Sequence, residues 1–248
     1  MIQANNYQKE ILDTLDSYLH KNDYKSAEKH LLNHLEKTTE SKNFSTEILL
    51  RNELMGLYRK LGKQKEALET VEAVLSLIEE NNLQNNVGSA TTYLNSATVY
   101  KAFGMPEKSI LLFNKAKKIY EEKLPQNDER LGGLYNNMAL TLVDLKRFDE
   151  AEVLNKKAIE VMKNKPLEIA VTHLNMANAS EAEKGILEAH EEISRHLEKA
   201  KSILEEYGNR DGYYAFVCEK CASVFGYFGD FLYDEELQDR ARRIYEGT

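Results

Sequence analysis

The sequence predicts an all-α protein, an α-α superhelix of about six stacked helix pairs. Two observations carry that prediction. The first is a segment that recurs about every 42 residues: Tyr93-Leu94-Asn95-Ser96-Ala97 aligns with Tyr135-Asn136-Asn137-Met138-Ala139 at a shift of 42, and His173-Leu174-Asn175-Met176-Ala177 follows at 38. The second is the scarcity of helix breakers, three prolines and twelve glycines in 248 residues, with few strand-forming clusters bounded by turn residues.

A second signature marks the other helix of each pair. Asn114-Lys115-Ala116-Lys117 reappears as Lys156-Lys157-Ala158-Ile159 and Glu198-Lys199-Ala200-Lys201, each at a shift of 42. The four residues lost before Asn175 are regained before Ala200, which places an insertion between the two helices of that pair. First helices are predicted near 6–20, 45–61, 88–103, 129–145, 167–184 and 213–228. Second helices are predicted near 24–39, 64–81, 106–123, 148–164, 187–207 and 231–246. Gly62 and Gly104, with Lys146 and Gly229 at the matching sites, punctuate the turns where a helix C-terminus favours a left-handed residue. Pro106 and Pro166 stand where a helix begins and a missing N–H costs nothing.

Hydrophobic residues make up 42% of the chain and charged residues 30%, with a formal net charge of -8 and the two signs interleaved. That balance argues against a direct nucleic-acid binder, which needs a basic surface to release counterions. Met1–Asn6 is polar and opens no signal peptide. No window approaches the roughly 18 apolar residues of a membrane span. Two cysteines do not build a disulfide framework, so the expected compartment is the cytoplasm.

These features resemble the tetratricopeptide repeat, and the spacing of 42 resembles its kinesin-light-chain type. The best match runs from Leu134 to Met162, through Asn136-Asn137-Met138-Ala139, Leu145-Lys146-Arg147-Phe148-Asp149-Glu150-Ala151-Glu152 and Ala158. Ala139, Ala151 and Ala158 are small where helices cross closely, with Leu142, Leu145 and Phe148 filling the gaps. Ala27, Ala67, Ala97, Ala116, Ala177 and Ala200 are the equivalents elsewhere. Departures are Lys146 for the usual glycine, the insertion around Gly185–Arg195, and bulky His34 and Val74 where alanine is expected. The resemblance implies a single domain over 1–248, with repeats near 6–40, 45–82, 88–124, 129–164, 167–208 and 213–246. The last is the most atypical.

Candidates for chemistry are few. Cys218 and Cys221 share a helix face at a spacing of three, where a redox pair or half a zinc site competes with simple packing, and packing is preferred. His30 and His34 are weighed the same way. Nucleotide loops, His-Glu-x-x-His and Gly-x-Ser-x-Gly are all missing from the sequence. The expectation is a non-enzyme with no cofactor, metal or catalytic residue.

The resemblance implies a concave groove lined by one stripe of each first helix, holding a protein or peptide. Stripe residues include Leu49 and Thr91, with candidate contacts at Asn52, Arg59, Lys60, Leu94, Thr98 and Lys101, then Asn136, Leu140, Val143, Asp144, Leu174, Asn178 and Glu181. Arg59, Lys60 and Lys101 are expected to receive the acidic end of an extended segment. Asn95, Asn137 and Asn175 are read chiefly as links between helices. The alternative is a bacterial-type sensor that binds a short signalling peptide and changes curvature. The terminal stretch Tyr213–Tyr233 is rich in aromatics. It either caps itself, with Leu232–Tyr245 folding back, or leaves Phe225, Phe228 and Phe231 partly exposed to form a homodimer.

Overall fold

The structure, a computed structural model, describes residues 2–247; Met1, which begins the stretch read for a leader, and Thr248 lie outside them. The described residues form twelve α-helices and no strand: α1 (Ile2–His20), α2 (Tyr24–Glu40), α3 (Phe44–Lys60), α4 (Gln64–Glu80), α5 (Val87–Ala102), α6 (Pro106–Lys123), α7 (Glu129–Asp144), α8 (Phe148–Val161), α9 (Pro166–Lys184), α10 (His190–Glu206), α11 (Gly212–Tyr227) and α12 (Phe231–Glu246). They fall into two compact units, Met1–Lys123 and Leu124–Thr248. In the first, α3 packs on α2, α4 and α5; in the second, α9 packs on α7, α8, α10 and α11.

The helix ends follow one local grammar. Asp23, Asn43, Asn86, Asp128, Asp211 and Asp230 each accept a hydrogen bond from a backbone N–H of the first turn they precede. At the other end, Asn22, Lys42, Gly62, Asn82, Gly104, Lys146 and Gly229 take φ values between 52° and 95°. The next N–H then reaches back five residues, as from Lys63 to the Tyr58 carbonyl and from Arg147 to that of Leu142, at 2.9 and 2.8 Å. Glycine marked this turn at three places in the sequence. Asn22, Lys42 and Asn82 make the same turn without it, because the hydrogen bond, and not the residue type, defines the motif.

The small residues lie at the closest crossings. Ala27, Ala67, Ala97, Ala116, Ala139, Ala151, Ala158, Ala177 and Ala200 are all buried, most of them completely. Val74 is accommodated in full burial, whereas His34 stays half-buried and bonds the Tyr7 hydroxyl through Nδ1 at 2.9 Å. His30 bonds the Ile11 carbonyl at 3.0 Å, so both histidines serve packing between α1 and α2. Within each unit, polar links join successive first helices. Gln8 donates to Thr46 at 3.1 Å, Asn52 to Thr92 at 2.9 Å, and Asn136 to Thr172 at 2.9 Å.

Two elements differ from expectation. The helix α9 runs unbroken to Lys184, and Gly185, at φ 81°, opens a loop that ends at Ala189; α10 therefore begins at His190, not near 187. Leu187 in that loop is 94% exposed. The terminal aromatics divide instead of acting together. Tyr214, Phe225 and Tyr233 are buried, with the Phe225 and Tyr233 rings edge-to-face at 4.7 Å. Phe225 therefore belongs to the core and not to an exposed patch, Phe228 is half-buried, and Phe231, Phe216 and Tyr227 are exposed. Arg240 of α12 clamps Glu205 of α10 with both terminal nitrogens and donates to the Tyr214 hydroxyl, which ties the last helix onto α10 and α11.

Ala139→Leu or Ala158→Leu is expected to overpack these crossings and cost about 1–3 kcal/mol in denaturant unfolding. Two unchanged melts would refute the register. Lys146→Gly is expected to stabilise by about 1 kcal/mol, because it removes the Cβ penalty of a left-handed residue. Lower stability in that variant would contradict the turn geometry.

Candidate functional site

The first helices of unit 1 line an open cavity of about 790 Å³. Its floor comes from α3, where Phe44, Ile48 and Leu49 recur on one face, and Leu83 of the α4–α5 connection adds an apolar wall. Gln8 of α1 and Asn95 of α5 close the sides, and Asn52 and Glu53 stand on α3 between them. Side chains three and four apart share a helix face, which is why one stripe of α3 supplies most of the lining.

The amides form a directed relay. Asn52 spends its Nδ2 on the Ile48 carbonyl and on Thr92 Oγ1, at 2.8 and 2.9 Å. Its Oδ1 is thereby presented to Asn95, whose Nδ2 donates to it at 2.8 Å. The orientation of Asn95 follows, with its Oδ1 left as an acceptor. Gln8 likewise donates through Nε2 to Thr46, and Asn81 through Nδ2 to the Leu77 carbonyl, leaving their carbonyl oxygens as acceptors. Glu53 has no ion-pair or hydrogen-bond partner among the described residues. The neighbouring cation Arg51 is taken by Glu47, at 2.6 Å. Burial pushes the Glu53 carboxyl above the ordinary carboxylate range, and the Asp16 carboxylate pushes it further.

The sequence-derived residues separate into several environments. Asn52, with Leu49 and Thr91 of the wider stripe, lines the cavity. Leu94 and Thr98 are half-buried farther along α5, and Lys101 is half-buried in its last turn. Arg59 is exposed in the last turn of α3, and Lys60 is turned towards α2, 4.9 Å from the Tyr24 ring. Among the described residues, the lining of the cavity includes no lysine, arginine or histidine, and Arg59, Lys60 and Lys101 stand outside it. In unit 2, Asn136 is 7% exposed and exchanges hydrogen bonds with Thr172, and Leu174 is 3% exposed in the core shared with α11. Both are structural, because the stripe at that depth faces the next helix and not the open surface. Leu140, Val143, Asn178 and Glu181 are half-buried and Asp144 is exposed; Glu181 accepts from the Tyr227 hydroxyl at 3.3 Å.

Sequence reasoning missed Gln8, Phe44, Ser45, Ile48, Glu53 and Leu83 as cavity residues. The amide-rich run Asn81–Asn86 gave little signal, since Asn82 makes the left-handed turn after α4 and Asn86 caps α5. Asn95 was rightly seen as a link, to Asn52 of the preceding first helix, and it also reaches the cavity. Asn137 instead bonds its own helix at the Gly133 carbonyl.

The chain was compared with known proteins. No protein-family model and no curated protein matches the sequence. Solved structures do. BtubC (BKLC) from P. vanneervenii is similar over 81% of this chain and 82% of its own, with TM-score 0.68 and 20% identity. A putative kinesin light chain of Podospora anserina, built of nearly identical TPR-like repeats, is similar over 79% of this chain and 94% of its own, with TM-score 0.54 and 18% identity. The chain has the tetratricopeptide-repeat fold. A Rap protein complexed with competence and sporulation factor is similar over 98% of this chain and 64% of that one, with TM-score 0.65 and 12% identity.

Outside the cavity, the cysteines singled out in the sequence lie in the core of this tetratricopeptide-type chain. Cys218 and Cys221 are buried, and burial raises both thiols, Cys221 to about 12, as befits cysteines packed as small apolar side chains. No group of three or more His, Cys, Asp or Glu side chains there is placed to hold a metal ion, and no helix is long and apolar enough to cross a membrane. A smaller cleft of about 330 Å³ in unit 2 lies over α9 between α8 and α10 and is edged by His196.

His196 faces His173 at 3.1 Å between the Nδ1 atoms, and both rings are buried. Burial, followed by the charge of His196, lowers His173 from 6.5 to about 4. Burial lowers His196 as well. The unfolded chain thus takes up protons that the folded pair refuses, and stability is expected to fall as pH drops from 6.5 towards 4. The pair His173→Gln and His196→Gln is expected to flatten that dependence. An unaltered profile of melting temperature against pH would count against the buried pair.

Proposed function

We propose that this chain is a protein-interaction scaffold that holds an extended segment of a partner against its first helices, with the unit 1 cavity as the principal contact. The observation that carries the reading is the composition of that cavity. Apolar walls from Phe44, Ile48, Leu49 and Leu83 accept side chains, and oriented amides at Gln8 and Asn95 stand ready for a peptide backbone. An extended segment brings unpaired N–H and C=O groups with it, and such amides satisfy them without a cost in buried polar groups. Arg59 and Lys101, in the last turns of α3 and α5, add a basic end to the same helices that suits acidic groups of the partner. On unit 2, Leu140, Val143, Asp144, Asn178 and Glu181 are the exposed or half-buried members of the corresponding stripe. The Rap protein of similar fold, solved with competence and sporulation factor, is consistent with a binding role.

The test is selection of binders from a displayed library of random twelve-residue peptides. Leu49→Trp fills the cavity at a half-buried site and leaves the fold intact. Selected peptides are expected to bind it at least about tenfold more weakly than the parent chain, the loss of a few buried apolar contacts. Equal affinity for both proteins would move the binding site elsewhere.

A further inference from the structure

The open groups of the unit 1 cavity are dominated by acceptors. Glu53 offers a carboxylate, and Gln8, Asn81 and Asn95 offer carbonyl oxygens, each of these amides having given one N–H to the protein. No basic side chain lines the space to answer them. Neighbouring anions elsewhere in unit 1 do find cations: Glu47 pairs with Arg51, and Glu28 with Lys63, each at 2.6 Å. A half-buried carboxylate left without a counter-charge, beside a second carboxylate at Asp16, is a standing cost to the fold. Substituting glutamine is expected to remove that cost.

From this we infer that the cavity selects a partner segment by its positive charge: an arginine or lysine side chain, flanked by apolar residues, is received by Glu53 and the Asn95 carbonyl oxygen. This rests on the peptide-binding reading and deepens it. A guanidinium or ammonium group is rich in donors and has no acceptor, which suits an unpaired carboxylate flanked by carbonyl oxygens. Its aliphatic stem lies along Ile48 and Leu49 while its head reaches the carboxylate, as long cationic side chains do on apolar surfaces. Inside a half-enclosed site the pairing is screened less than on an open face, so it discriminates between partners. The charge preference is opposite to that of the basic ends of α3 and α5, which gives the bound segment one orientation on this face.

The experiment uses the full chain and a fluorescent peptide series, acetyl-Gly-Ser-Leu-X-Leu-Leu-Gly-Ser-amide, with X as arginine, lysine, norleucine or glutamate. A fifth peptide has a free amino terminus next to Leu-Leu and no basic side chain. Arginine and lysine are expected to bind at least about tenfold tighter than norleucine, the usual scale of a charge-assisted hydrogen bond, with glutamate weakest. In Glu53→Gln that preference is expected to shrink below about threefold, while the melting temperature stays level or rises. Tight binding of the free-amine peptide alone would assign the charge to a chain terminus and overturn the side-chain proposal. Equal binding of arginine, norleucine and glutamate peptides, still abolished by Leu49→Trp, would overturn the charge selection and leave the peptide reading standing. Failure of every peptide to bind would overturn both.

Discussion

The close crossing of helices at alanine is the constraint on which the rest of this structure depends. A helix pair joined by a three-residue turn cannot bury its own apolar faces, and must lean on the pair before it and the pair after it. The lean is close only where a methyl group replaces a larger side chain. Ala139, Ala151 and Ala158 of α7 and α8 are buried in this way, as are Ala97 and Ala116 of α5 and α6. Gly132 extends the same principle, since the Met162 side chain occupies the space its Cβ would need. Large residues such as Phe113, Tyr120 and Leu142 then fill the wedges that the crossings leave.

Close crossing sets distance, and two further devices set direction. Left-handed turns at Asn22, Lys42, Gly62 and Asn82 return the chain with nearly identical geometry each time, so successive helices of unit 1 enter their pairs alike. Polar links from Gln8 to Thr46 and from Asn52 to Thr92 then hold one first helix at a defined height against the next. Unit 2 uses Asn136 and Thr172 for the same purpose, and adds tyrosine hydroxyls on α11 that reach Glu168 and Glu181 of α9. A hydrogen bond is satisfied at only one register, whereas apolar contacts tolerate sliding. That difference explains why an otherwise alanine- and leucine-based interface contains buried amides at all.

The cavity is a by-product of this geometry. Once α1, α3 and α5 are spaced by their crossings, the surface between them is too wide for their own side chains to fill. Asn52 anchors the relay that orients Asn95, so a residue that serves the fold also decides which polar atom faces the opening. Glu53, one position away, has no hydrogen-bond or ion-pair partner among the described residues. The contrast between a committed amide and a carboxylate without a partner on adjacent positions is what the proposed binding role rests on, more than exposure.

The sequence by itself determined the helix pairs, their order and the small-residue crossings. Those depend on local spacing: an alanine at a fixed interval and a cap residue before each apolar run are visible without knowing what they touch. Lys146 was legible as a turn because its neighbours repeat those of Gly62 and Gly104. What only the tertiary structure decided is which polar residues are spent and which are free. Asn52 and Asn136 occupy equivalent places 84 residues apart, yet one borders a cavity and the other is sealed against Thr172. Leu174 looks like a groove residue until α11 covers it, and Phe225 looks exposed until Tyr233 packs on it. Glu53 carries no mark in the sequence. Its lack of a partner is a property of three helices at once, and it follows from distances between side chains that no periodicity encodes.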